Sequence, residues 1–203
     1  MQFTNEQLQK MIAKEPIGDG YPYNTKDRNQ IERYIKDLFY KFNRSKSIQC
    51  EAMFDHYGSG YASYVDFFFY KRDGSSVLSE KYIEKDSLTS IEIDGLVLYI
   101  SRLAPVAILG KDIRSRAILE TSKGKMEYFS GFSMLSQSQQ VITEVQEEWK
   151  DNFREIKLKL DEAGYMILDK TYLEQPLPFK AKIETFTHPN QYKLFDAIFY
   201  WMD

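Results

Sequence analysis

The stretch SIEIDGLVLYI, residues 90–100, holds the choice on which the fold turns. Asp-Gly between two apolar runs is the strongest short-range hairpin signal, because glycine accepts the positive φ that a tight turn needs. On that reading the stretch is two antiparallel strands hinged at Asp94 and Gly95. Working outward, turn chemistry recurs at Gly58-Ser59-Gly60, Asp73-Gly74 and Ser122-Lys123-Gly124. The apolar period between these turns is close to two, so residues 46–135 are expected to form a meander of short strands. Pro105, which has no N–H to give a ladder, belongs at a strand start, an edge or a bulge.

Both flanks of this β-rich stretch are helical in pattern. Thr4 followed three residues later by Gln7 is a capping box, and Phe3 with Leu8 can staple it, so the chain opens on a short helix. Ile31, Tyr34, Ile35, Leu38, Phe39 and Phe42 recur at three-and-four spacing, which gives a second helix one broad apolar face. Residues 136–164 are expected to be one long helix, capped at Ser136 and Gln139, striped by Ile142, Val145, Trp149, Phe153, Ile156 and Leu160, and ended by Gly164. YMILD then returns to the sheet, and the apolar end KLFDAIFYWMD must dock on the body. The fold expected is α+β: one domain over residues 1–203, with a mainly antiparallel meander sheet covered on one face by the N-terminal helices and the long helix.

Composition narrows function before any motif does. A hydrophobic share of 43% is enough for a packed core, while a net charge of -3 argues against a general polyanion binder, since such binding needs many cations. One cysteine allows no intrachain disulfide and no cysteine-based zinc cluster. The opening MQFTNEQLQK has neither a basic n-region nor an apolar h-region, and no apolar run approaches the ~18 residues of a membrane span. A cytoplasmic protein that engages neither membrane nor nucleic acid is expected. Nothing in the pattern sets an oligomeric state.

Catalytic patterns fail one by one. Cys50 and His56, six residues apart in an extended segment, stand ~20 Å from each other at ~3.3 Å per residue. With two histidines and no HExxH, a three-imidazole zinc site is excluded. GDG at 18–20 and GSG at 58–60 complete neither a phosphate loop nor a nucleophile elbow. No catalytic residue, metal ligand or cofactor is therefore assigned.

Two surfaces remain. Glu144, Glu148, Asp151 and Glu155, with Glu147 beside them, fall on one stripe of the expected long helix and suit a basic partner. In YGSGYASYVDFFFY, residues 57–70, strand alternation puts Val65, Phe67 and Phe69 towards the helices. The other face carries Tyr64, Asp66, Phe68 and Tyr70 as a partly wet, tyrosine-rich surface. Lys111, Arg114, Arg116, Lys123 and Lys125 form a charged strand edge that guards against sheet pairing, with nucleic-acid or phosphate binding as the alternative use of that edge. The balance favours a non-catalytic protein-binding module that docks a basic partner, for which an immunity-type protein that neutralises a toxin is one analogy. The alternative is a small-ligand binder or enzyme with a pocket between sheet and helices, using groups such as Asp66, His56 and Arg102.

Overall fold

A computed structural model describes residues 2–58, 60–84, 88–121, 124–130, 135–185 and 187–202. Ser59, Ser122 and Lys123, which belong to two of the expected turns, lie outside the described residues, as do residues 131–134. Helix α1 (Asn5–Ile12) starts at the expected capping box, with Gln7 N–H donating to Thr4 Oγ1 and Thr4 N–H to Gln7 Oε1. Helix α2 (Arg28–Asn43) is capped by Asp27, whose carboxylate accepts from the N–H groups of Asn29 and Gln30. It buries the expected stripe of Ile31, Ile35, Leu38 and Phe42.

The protein is α+β, with a mostly antiparallel, curled sheet of seven strands. β1 (Ile48–Met53), β3 (Tyr64–Lys71), β5 (Leu88–Ser101), β6 (Val106–Thr121) and β7 (Gly124–Ser130) lie side by side in that order. β4 (Val77–Ile83) pairs with the first half of β5, and β8 (Met166–Ile167) runs parallel to the start of β6. β2 (Tyr61–Ala62) pairs with the terminal β9 (Trp201–Met202) in a separate ribbon. Pro105 directly precedes β6, a strand-start position that asks no N–H of it.

The expected hairpin at Asp94-Gly95 does not form. Both residues sit inside β5, and β5 and β6 pair without interruption from Leu88↔Leu119 to Ile100↔Ala107. Glycine is required there for space rather than for a turn. A Cβ on Gly95 would lie 2.4 Å from Cε2 of Phe68 and 2.5 Å from the carbonyl oxygen of Phe69, so the Phe68 ring occupies the room a side chain would take. The Asp73-Gly74 turn does form, with Gly74 at φ 82°.

The sheet bends sharply on the Phe68 side. Asp66 is level with Tyr99 of β5, and Arg114 is level with Ile93, six residues further along the same strand. In a flat sheet those levels differ by ~20 Å. Yet the Arg114 guanidinium donates to both Asp66 oxygens at 2.8 and 2.7 Å. The Glu51 and Arg116 pair is offset by the same six residues, from the level of Val97 to that of Ile91. The two halves of β5 and β6 therefore fold towards each other on this face.

Helices cover both faces of the inner half, not one. Val65, Phe67 and Phe69 with Leu96, Leu98, Ile100 and Leu109 meet α2 and α3 (Lys150–Glu162). On the bent side, Phe68, Val97 and Ile108 share a core with α1, α4 (Lys170–Leu173) and α5 (Leu194–Ile198). Leu8, Met11, Leu173, Phe195 and Ile198 fill that layer, which also docks the apolar chain end as expected. Tyr200 donates its hydroxyl to the Met11 carbonyl at 2.8 Å. Burial disfavours the charged form of Tyr23 and Tyr165 and raises both pKa values well above the ordinary value; their hydroxyls meet at 3.0 Å in the interior.

The long helix begins later than its pattern suggests. Residues 138–140 form one 3-10 turn, a second spans Glu147–Trp149, and α3 starts at Lys150. Between them Ile142 gives its N–H to the Leu109 carbonyl at 2.9 Å, so its backbone is committed to the sheet and not to a helix. Gly164, at φ 72°, ends the helix region as expected.

Candidate functional site

The acidic stripe is dispersed by that late start. Glu144 lies in the loop, Glu147 and Glu148 lie in the 3-10 turn, and Asp151 and Glu155 lie on α3. Three of the five face a cation of their own chain. Lys150 meets Glu147 at 2.6 Å, Arg154 meets Asp151 at 2.7 Å, and Lys159 meets Glu155. Glu155 also accepts from the hydroxyls of Ser45 and Ser47 at 3.0 and 2.8 Å, which ties α3 to the end of α2. Burial alone would raise its pKa, but the hydrogen bonds from Lys159, Ser47 and Ser45 outweigh it and hold the carboxyl below its ordinary value. Glu155 is a structural link, and the stripe is largely neutralised.

The expected wet face of β3 is interior. Tyr64, Asp66 and Phe68 are buried and only Tyr70 is half-buried, so the tyrosine-rich surface does not exist. Tyr64 stacks on Tyr99 with ring centroids 3.9 Å apart. Asp66 is held by Arg114, which also contacts Asp112 at 3.3 Å and lies 4.5 Å over the Phe68 ring. Tyr70 donates to Glu51 at 2.9 Å and accepts from Arg116. Tyrosine and aspartate here satisfy a charged layer enclosed by the bend.

That same layer removes the charged edge. Arg114 and Arg116 turn into the bend, Lys111 reaches Asp94 at 3.3 Å and Gln146 at 2.5 Å, and Lys125 meets Glu120 at 3.1 Å. Lys123 lies outside the described residues.

Of the three pocket groups, two share a cleft. His56 and Arg102 line a cavity of about 510 Å³ with Arg28, Glu32, Asp55 and Tyr61, whereas Asp66 belongs to the bend. Arg102 is fully engaged by structure. It donates to Glu32 at 2.9 Å, to the Ala62 and Phe54 carbonyls at 3.0 and 2.6 Å, and to that of Tyr64. His56 Nε2 faces the Tyr64 hydroxyl at 2.9 Å. These groups pin the loop before β2 to α2 and present no activated nucleophile. Cys50 is buried in β1, and burial raises its thiol pKa well above the ordinary value, which leaves it unreactive. Among the described residues no three His, Cys, Asp or Glu side chains converge on a metal-sized site, and no helix is long and apolar enough to cross a membrane.

The surface that the sequence reading missed is the outer half of the sheet. Beyond Gly95 the strands leave the helices and continue as a four-stranded wing of β4, β5, β6 and β7. Seven of the eleven exposed large hydrophobic residues described lie on it: Val77, Leu78, Tyr82, Ile83, Ile113, Met126 and Tyr128. Ile83, Leu88, Leu119 and Met126 are successive cross-strand partners, so they form one apolar row across all four strands. Ala117 and Tyr128 make the next row on that face, and Ile113 lies closer to the body. This is the face that α2 and α3 bury further in; on the wing no described residue covers it. Alternation puts Ile83, Ile113, Met126 and Tyr128 on this face and Val77 and Tyr82, level with Ile93 and Thr89, on the other, but whether a helix covers a face depends on where the helices end.

On that face the exposed charges are Glu92, Lys81 and Lys111, whereas Glu80, Glu120, Glu127 and Lys125 lie on the opposite, Phe68 face of the wing. No protein-family model matches the chain, and searches of curated proteins and of solved structures return no match.

Proposed function

We propose that this chain is a non-catalytic protein-binding module that docks a basic partner through the outer, convex face of its wing. The observation that carries the reading is the uncovered apolar surface, with Ile113 55% and Met126 49% exposed on an otherwise well-packed chain. Contiguous exposed apolar surface on a folded protein marks an interaction site, and tyrosine with methionine is the composition expected at an interface core. The wing as a whole carries more exposed carboxylates than cations, most of them on its reverse face, and this excess supplies longer-range attraction for a cationic partner. The partner chemistry expected from the sequence is thus kept, while the docking surface moves from α3 and β3 to the wing. A toxin neutralised by occlusion is one partner of that kind, as in immunity-type proteins.

The test is site-specific photo-crosslinking in lysate of the source cells. A crosslinking residue at Met126, Tyr128 or Glu148 is placed in the otherwise unchanged chain. Adducts to one protein from both wing positions, lost in an Ile113→Lys, Glu92→Lys double variant, are the expected outcome. Adducts from Glu148 alone, or none from any position, would overturn the reading.

A further inference from the structure

β4 and β7 are the two edges of the wing, and among the described residues neither pairs with a strand on its outer side. An open edge offers a row of unpaired N–H and C=O groups to another strand. β4 is blunted against this. Its register with β5 slips between Val77 and Ser79, and pairing it with its own copy about Glu80 or Lys81 sets like charges opposite each other. β7, GKMEYFS, has neither device: it keeps an unbroken register with β6 from Ser115↔Ser130 to Thr121↔Gly124.

The sequence of β7 complements itself. Two antiparallel copies related by a twofold axis at Met126 oppose Lys125 of each to Glu127 of the other, both exposed and both on the Phe68 face. Lys125 lies 3.1 Å from Glu120 of its own chain, and an ammonium with three donors can serve a carboxylate on either side. On the convex face the same register opposes Met126 to Met126 and Tyr128 to Gly124. A Cβ on Gly124 would meet nothing within 4 Å, so the space over it is open to a ring from the copy, and an aromatic across from an edge glycine is a stabilising cross-strand pair. The apolar row of Ile83, Leu88, Leu119 and Met126 then runs on into the same row of the copy.

Neighbouring registers lose this match. Centring on Lys125 opposes the two lysines, centring on Glu127 opposes the two glutamates, and centring on Tyr128 sets Glu127 against Phe129. We infer that β7 pairs antiparallel with β7 of a second copy, in a twofold dimer centred on Met126. The dimer uses the edge of the wing and leaves its convex face open, so it does not depend on the protein-docking reading. In the crosslinking test above, an adduct to a second copy reports the dimer and an adduct to a different protein reports docking.

A contact of one short strand per copy is small, so the test is sedimentation velocity of the purified chain from ~5 to ~500 μM, which brackets a dimer of micromolar strength. The expected result is a monomer that converts to dimer across that range. Glu127→Lys and Lys125→Glu each turn both cross-copy pairs into like charges and should weaken self-association by about tenfold, with an unchanged melting temperature. An equimolar mixture of the two variants should recover it as a heterodimer, because every cross-copy pair is then again of opposite charge. Met126→Cys should link two copies by a disulfide under mild oxidation, and Lys81→Cys on β4 should not; this readout stands even if a charge variant fails to fold. A chain that stays monomeric at ~500 μM overturns the inference. So do charge variants that associate as strongly as the original chain, or a mixture that associates no better than either variant alone.

Discussion

β5 and β6 each run through two environments, and the contrast between them is the clearest feature of the molecule. In the inner half, Leu96–Ile100 and Val106–Leu109 are buried on both faces by helices. In the outer half the same two strands, with β4 and β7, hold cross-strand pairs but leave large apolar side chains in water. Hydrogen-bonded pairing is the same in both halves, so what separates them is apolar burial. The inner half holds the fold, and the outer half is free to be a surface.

The sharpest way to break this comparison is to truncate one ring on each side of it. Phe67→Ala removes a fully buried ring between β3 and α2 and should cost about 4 kcal/mol in denaturant unfolding. Arg114→Met tests the layer that joins the halves. It leaves Asp66 and Asp112 buried without their cation and should cost about 3 kcal/mol, whereas simultaneous Asp66→Asn should recover part of the loss. Gly95→Ala pushes a methyl into the Phe68 ring and the Phe69 carbonyl, for about 2 kcal/mol. If Gly95 were a turn glycine, Asn would be tolerated there, so Gly95→Asn at least as damaging as alanine confirms the packing reason. On the wing, Ile113→Ser and Met126→Ser should each change stability by less than about 0.5 kcal/mol. A wing substitution as costly as Phe67→Ala would mean that the outer half carries the fold and is not free for a partner.

The helices α1 and α2 were legible because their determinants are local: a capping box, an aspartate cap and a regular apolar stripe. Gly164 and the docked chain end were legible for the same kind of reason. What the sequence hid is what depends on distant partners. Asp94-Gly95 has the chemistry of a turn, and only the Phe68 ring, brought from another strand, shows why glycine stands there. Arg114 and Arg116 look like edge charges until the bend carries them to Asp66 and Glu51, 48 and 65 residues away. The acidic stripe failed because Ile142 bonds to Leu109 instead of entering a helix. The apolar residues of the wing were visible as a period of two, which by itself says nothing about which half of a long strand the helices reach.

The bond from Tyr200 to Met11 has a consequence for how the chain is made. It links residues 189 apart, and α1 packs on α5, so α1 waits for residues 194–200 before it has a place to sit. At ~5–20 residues per second, the ribosome leaves Leu8 and Met11 without that partner for ~10–40 s. The capping box and the salt bridge from Lys10 to Glu6 lie within α1 itself and favour a preformed turn of helix during that interval. Vectorial synthesis thus delays the α1 and α5 layer until late, while α2 and the first strands can already collapse on one another.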